Sequence, residues 1–394
     1  MEQTARQGLV RGIGRWDFVA LTVNAMVGAG VFGLPSKIYG LTGRWSLLAY
    51  VVCAALITLV TLCFAEVGSR FTETGGPYLY ARVAFGPVIG FEVGWLLWLA
   101  RLTAFAALCN LLLGYVSYFW PAAGAGWTRV MIISAVVVAL ATINLVGVRE
   151  AAVASNLFTL GKLAPLLLFV LVGLFYLNSH SLVAAAGPAS GQFSKAVLLL
   201  VFAFSGFEMA VIPAGETLDP RRHVFFALLT ATGVVTLLYV MVQVVCVGTL
   251  PGLAASERPL VEASSRFLGA AGASVVSVGA LISVSGTLGL NVLAGSRILY
   301  AMAEQESLPR LLAATHPRFR TPHVAILVST SLMLVLTLQG TFMSALTIST
   351  IIRLLAYILT CAALPALRFR KGAPPPHFVA PAGLAVAGLA TALS

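Results

Sequence analysis

Charge is what this sequence has least of. Asp, Glu, Lys and Arg make up 9% of its 394 residues while 59% are hydrophobic; a soluble domain carries roughly 25% charged residues. So little charge cannot cover a water-facing surface, which excludes a soluble globular protein. Acidic residues are scarcer than basic ones, 13 against 24, for a net charge of +11. The basic residues form neither a stripe nor a tail, so the surplus does not point to nucleic acid. The expected surrounding partner is a lipid bilayer. Cysteine is sparse too: Cys53, Cys63, Cys109, Cys246 and Cys361 all fall in apolar runs, without CxxC or Cys/His spacing. Packed, reduced thiols are expected, with no disulfide framework and no metal. The five histidines lie in loops or at helix ends. Neither an HExxH set nor a nucleophile–base pair is present, so an enzyme is not expected. No ATP-binding motif is found and no cofactor is expected. The polar, basic N-terminus runs into a segment long enough to span, without a small-residue cleavage site, so no removable signal peptide is read.

Apolar runs are what the chain has instead. A helix needs about 20 residues to cross a bilayer, and eleven such runs are read, at 17–39, 45–68, 87–119, 128–148, 153–177, 194–215, 224–249, 271–302, 323–339, 344–367 and 378–394. Short polar segments separate them, so residues 1–394 are read as one bundle. The chain ends inside the last run without a polar flank, as a short or a truncated sequence would. With the N-terminus cytoplasmic, fourteen basic residues fall on the inner side and six on the outer. The remaining four, Arg101, Lys162, Arg297 and Arg353, lie within runs. That bias predicts an inner-membrane, multi-pass protein with its N-terminus inside.

Two of the runs are interrupted. The first, "TVNAMVGAGVFGLPSK", holds Gly28, Gly30, Gly33 and Pro35, and the sixth, "AVLLLVFAFSGFEMAVIPAGETLDPRRH", holds Ser205-Gly206 followed by Glu208. Runs 1 and 6 begin two consecutive sets of five. An odd number of spans per set inverts the second set, and paired interruptions at matching positions of inverted halves point to a transporter's binding site. The fold class read here is therefore an all-α membrane protein of two inverted five-helix repeats (17–177 and 194–367) with broken helices 1 and 6. At least one further helix (378–394) follows.

A broken helix leaves backbone groups without partners, which hydrocarbon does not tolerate unless something polar fills the break. The N–H groups around Val27, Gly28, Ala29 and Gly30 suit a carboxylate. The carbonyls ending the first half of helix 6, around Phe202, Ala203 and Ser205 beside Gly206, suit an ammonium. Together they form a receptor for a zwitterionic α-amino acid. Close helix packing is the alternative reading of Gly28 and Gly30. Glu208 lies at membrane depth, where a carboxylate is expensive and functional by default; a fixed ion pair with Arg353 is the alternative. Ser155, Thr159 and Lys162 share one face of helix 5, and Lys162 lies about 12 Å inward at 1.5 Å per residue. It reads as a titratable cation coupled to helix 1 or as a permanent tether. Arg101, deep in helix 3, disfavours a cationic substrate side chain unless a neighbouring carboxylate pairs with it.

"GAGVFGLP", "GGPYLYARVAFGPVIGFEVGWLLW", "FSGFEMAVIPAGETLDPRR" and "GSRILYAMAEQESLP" occur in this order. They resemble, respectively, helix 1, the helix 2–3 connection, helix 6 and the end of helix 8 of the amino acid–polyamine–organocation transporters. The resemblance spans nearly the whole chain and implies a ten-helix core in a family that usually has twelve helices. It implies that Ala100, Arg101, Phe105, Leu290, Asn291 and Ser349 border the substrate side chain and that Phe202 is an aromatic lid. By the same resemblance Glu208 and Tyr357 stand near the cytoplasmic gate, and Lys162 takes the place that sodium fills in sodium-coupled relatives. The expected function is secondary active transport of a neutral or acidic amino acid by alternating access, coupled to protons, by a monomer or homodimer. The alternatives are an amino acid/polyamine exchanger or antiporter without proton coupling, and a sensor that keeps the fold.

Overall fold

The computed structural model describes residues 14–71, 76–146, 151–178, 187–211, 218–319, 321–381 and 383–393, with backbone alone at 151–160, 220, 221 and 393. Among these residues the secondary structure is helical throughout. The first run is cut into α1 (Arg15–Met26), α2 (Ala29–Gly33) and α3 (Pro35–Thr42). Then follow α4 (Ser46–Gly68), the short α5 (Pro77–Phe85), α6 (Pro87–Phe119), α7 (Gly126–Val146) and α8 (Ala151–Gly173). The sixth run forms α9 (Gln192–Phe204) and α10 (Phe207–Ala210), and the chain continues through α11 (Pro220–Thr249), α12 (Pro259–Glu304), α13 (His323–Gln339), α14 (Phe342–Phe369) and α15 (Gly383–Leu393). Eight stretches among the described residues are long and apolar enough to cross a membrane, and three shorter apolar helices accompany them. The molecule is an all-α, multi-pass membrane protein.

The boundaries follow local chemistry. Pro35, Pro77, Pro87, Pro220 and Pro259 each open a helix, the position where a missing N–H costs nothing. The 46 residues of α12 exceed any bilayer, and Gly269 (φ 64°, ψ −159°) divides them into two helices. That separates a short preceding segment from the span predicted at 271–302. The short helix α5 was not among the predicted runs because its nine residues are too few to register as a span.

α6 is the central post, packed against α5, α12, α13 and α14, while α1 packs on α10 and α11, and α4 on α9 and α11. A buried polar hub closes one end of the bundle. Glu66 at the end of α4 accepts from Arg368 Nε and Nη2 (2.7 and 2.5 Å), Arg70 Nη2 (3.3 Å) and the Ala380 N–H (2.8 Å). Arg70 also donates to the Pro374 carbonyl at 2.9 Å, and Ser69 Oγ accepts the His377 and Phe378 N–H groups. The proline-rich connector and α15 are thereby strapped to α4.

Candidate functional site

Both interruptions are real breaks, and they cross. α1 ends at Val27 (φ −75°, ψ 92°), and α2 restarts after Gly28 (φ −126°, ψ −141°) with no side chain capping it. α9 ends at Ser205 in extended conformation, and α10 restarts after Gly206 at φ 119°. A Cβ on Gly206 would lie 2.2 Å from the Ala25 carbonyl oxygen, and one on Gly30 would lie 2.5 Å from Ala203 Cα. Each break is thus pressed against the helix half that ends at the other. Gly30 is therefore a close-packing glycine, the alternative left open above. Gly206 is required twice, by its left-handed φ and by the contact.

The carbonyls freed at the breaks are taken up from outside. Lys162 Nζ on α8 donates to the Asn24 and Val27 carbonyls, both at 2.9 Å, and is 1% exposed. A cation at the carbonyl end of a helix is favoured by the orphan acceptors and by the helix dipole. The side chains of Ser155 and Thr159, placed by spacing on the same face, lie outside the described residues. The Tyr239 hydroxyl on α11 lies 2.9 Å from the Met26 carbonyl and 3.1 Å from the Ala203 carbonyl, bridging the two breaks. The Phe202 carbonyl accepts from Ser205 Oγ at 2.7 Å and from the Ser205 N–H at 3.3 Å. A carbonyl has two lone pairs, so Ala203 and Met26 each retain one for a further donor.

Between the breaks, α6, α12 and α14 line a small, partly open cavity. Gly28, Ala29 and Gly30 line it from one break, and Phe202, Ala203, Ser205 and Gly206 from the other; Arg101, Asn291 and Arg353 complete the polar wall. Phe202 is 7% exposed, with the Arg353 guanidinium 5.9 Å from its ring centroid, so it faces the cavity and not lipid. Asn291 Nδ2 donates to the Thr287 carbonyl at 2.8 Å, while its Oδ1 is buried without a partner.

Five expected wall positions lie elsewhere. Val27, Ala100, Phe105, Leu290 and Ser349 are absent from the cavity lining. Val27 contributes its carbonyl to Lys162. The α6 face that lines the cavity runs through Arg101, Ala104 and Leu108, and at about 100° per residue Ala100 and Phe105 fall on its two flanks. The Ala100 carbonyl accepts from Ser349 Oγ at 3.0 Å, joining α6 to α14 behind the wall. On α12 the lining residues are Thr287 and Asn291, one turn apart, which turns Leu290 aside.

The dominant charged group is Glu208. Its Oε1 accepts from Arg101 Nη2 at 2.6 Å and Arg353 Nη1 at 2.8 Å; its Oε2 accepts from the Tyr357 hydroxyl at 2.9 Å and the Gly206 N–H at 2.8 Å. Both ion pairs are buried, with side-chain exposures of 1–3%. The carboxylate also caps α10, where a negative charge near the N-terminus is favoured. Both alternatives raised from the sequence are therefore present: Arg353 pairs with Glu208, and so does Arg101.

Sequence reasoning missed Tyr239, Thr287, Ala104 and Leu108. A tyrosine within an apolar span is the signal that was there, because a buried hydroxyl needs a partner.

An all-α bundle with two crossed, broken helices around a buried polar cavity defines the class as a multi-pass membrane transporter. The chain belongs to the amino acid permease family, whose sequence model matches residues 13–394. It is 29% identical over 343 residues to the serine/threonine exchanger SteT of Bacillus subtilis (strain 168), covering 85% of this chain and 78% of that protein. It is 26% identical over 344 residues to the branched-chain amino acid permease BcaP of the same organism, covering 82% and 73%. It is 31% identical over 327 residues to the arginine/ornithine antiporter of Pseudomonas aeruginosa, covering 79% and 67%.

Proposed function

We propose that this chain is a secondary active transporter that carries a neutral or acidic amino acid across the cytoplasmic membrane by alternating access. The observation that carries the reading is that two reciprocal helix breaks line one buried cavity. Gly28 has no side chain with which to cap α2; its own N–H meets the Tyr239 hydroxyl, and the N–H groups that follow it suit the substrate carboxylate. The second lone pairs of the Met26 and Ala203 carbonyls suit its ammonium. In this reading residues 17–177 and 194–367 form two inverted repeats, with α15 in an additional segment 378–394, and the N-terminus is cytoplasmic, which the distribution of basic residues supports. Glu208, Arg353 and Tyr357 form a gate beside the site, and Phe202 closes over the substrate.

Lys162 is the proposed coupling residue. It holds the carbonyl end of α1 at two points, so loss of its proton would remove the charge that strengthens both bonds and loosen that helix end. The experiment is uptake of labelled amino acids into liposomes containing the purified protein. An imposed proton gradient should drive accumulation in wild-type protein but not in Lys162→Ala. Accumulation by the variant equal to wild type refutes the coupling role.

A second reading, exchange without proton coupling, is favoured by the engagement of Lys162 by two carbonyls, which a permanent tether would also show. In that case only amino acid preloaded inside the liposomes drives uptake, and the proton gradient has no effect.

A further inference from the structure

The charges around the cavity do not balance. Two guanidiniums, Arg101 and Arg353, line it, both at most 3% exposed, and Glu208 is their shared carboxylate. Glu208 has no capacity left: each of its two oxygens already accepts two hydrogen bonds, which exhausts a carboxylate's roughly four lone-pair sites. The guanidiniums, by contrast, are underused. A guanidinium has five N–H donors; for Arg101 a single bond is found among the described residues, to Glu208. Arg353 adds a long contact to Ser349 Oγ at 3.4 Å, and its Nε is buried without a partner. Among the described residues no acidic side chain is part of the cavity lining itself; Glu208 stands behind the two guanidiniums. The site therefore holds one surplus positive charge, with unspent donors, in an environment where an uncompensated buried charge is the costly condition.

The geometry points to a substrate that brings a second anionic group: an α-amino acid whose side chain ends in a carboxylate or a comparable oxyanion. This rests on the amino acid reading above and narrows it. A neutral amino acid enters as a zwitterion with no net charge and leaves the surplus in place. A cationic one doubles it. An acidic one cancels it, placing side-chain oxygens against the free edges of Arg101 and Arg353, while Glu208 keeps those guanidiniums fixed in orientation. Arg353 and Arg101 are thus specificity-determining, and the α-carboxylate remains at the α1–α2 break. Bidentate guanidinium–carboxylate geometry gives this recognition its selectivity.

The test is thermal stabilisation of the purified full-length protein by L-glutamate, L-aspartate, L-glutamine, L-asparagine and L-arginine, followed by competition for uptake in liposomes. Glutamate or aspartate should act at concentrations roughly tenfold or more below those of the matching amide, because a site built around a polar group rejects the analogue lacking it. Glu208→Gln removes the internal anion and should widen the acid-over-amide ratio. Arg353→Gln should erase the ratio. Should Glu208→Gln prove too unstable to purify, the wild-type ratio and Arg353→Gln decide the matter alone. Equal potency of acid and amide, or competition by arginine at the concentration of glutamate, overturns the inference and leaves the amino acid reading standing. If none of the five stabilises the protein or competes for uptake, this inference fails, and the amino acid reading is decided by the same assay with serine, threonine, leucine and valine.

Discussion

Replacing Gly206 by alanine tests the crossed-break architecture most directly, because a single methyl carbon meets two independent obstacles there. The first is conformational: Gly206 sits at φ 119°, and an L-residue in left-handed backbone costs about 1–2 kcal/mol. The second is steric. The new Cβ would stand 2.2 Å from the Ala25 carbonyl oxygen, 2.7 Å from its carbon and 3.0 Å from the Met26 nitrogen, all backbone atoms that no rotamer change can move aside. Overpacking of this kind typically costs about 1–3 kcal/mol. Together the expected destabilisation is about 2–5 kcal/mol, or a fall in apparent melting temperature of roughly 2–6 °C. Gly233→Ala is the control: Gly233 lies inside α11 with nothing within 4 Å of an added Cβ. That change should be neutral or stabilising by up to about 1 kcal/mol from helix propensity alone. Melting of both variants in detergent, followed by intrinsic fluorescence, separates the two. A Gly206→Ala protein that melts like wild type would mean that the breaks do not interlock at this point.

Further outcomes follow from other contacts. Tyr239→Phe retains the ring packing on Phe204 (centroids 5.2 Å apart) but strips the Met26 and Ala203 carbonyls of their shared donor. A stability loss of about 1–3 kcal/mol is expected, with a changed KM for uptake because those carbonyls flank the cavity; unchanged melting and KM would show the bridge to be inert. Glu66→Gln removes the charge that binds Arg368 and Arg70, so faster hydrogen exchange is expected across residues 374–380, read by mass spectrometry. Protection equal to wild type would show that the connector is held by other contacts. All five cysteines are buried, so a maleimide should label fewer than one thiol per native molecule and all five after denaturation.

Much of this architecture is legible in the sequence because bilayer physics leaves few options. A run of about 20 apolar residues has to be helical, and glycine and proline within it have to mark a break with a purpose. The lengths of α4, α6 and α13 follow from that rule to within a residue or two. Charge within a span is equally informative: Arg101, Lys162, Arg353 and Glu208 all proved buried. What spacing could not supply was pairing across helices. Arg101 and Glu208 are separated by 107 positions, and nothing local says that the arginine turns to that carboxylate. Rotation of α6 about its axis was also hidden, since apolar composition is similar all round a buried helix. That is why Ala100 and Phe105 were expected where Ala104 and Leu108 stand. Glu66 sits at the end of an apolar run, where a polar flank is ordinary, and nothing in its position announces the four hydrogen bonds it accepts.

The contact of Gly30 with Ala203, and of Gly206 with Ala25, has a consequence for how such a sequence is free to drift. Position 203 is locked to position 30 as a lock is to its key. Any residue larger than alanine at 203, or larger than glycine at 30, needs an accommodating change in the other helix. The two segments are therefore expected to vary as a pair across relatives. An engineer who wishes to reshape the cavity would keep these four positions fixed and alter the walls at Ala104, Leu108, Thr287 and Asn291 instead.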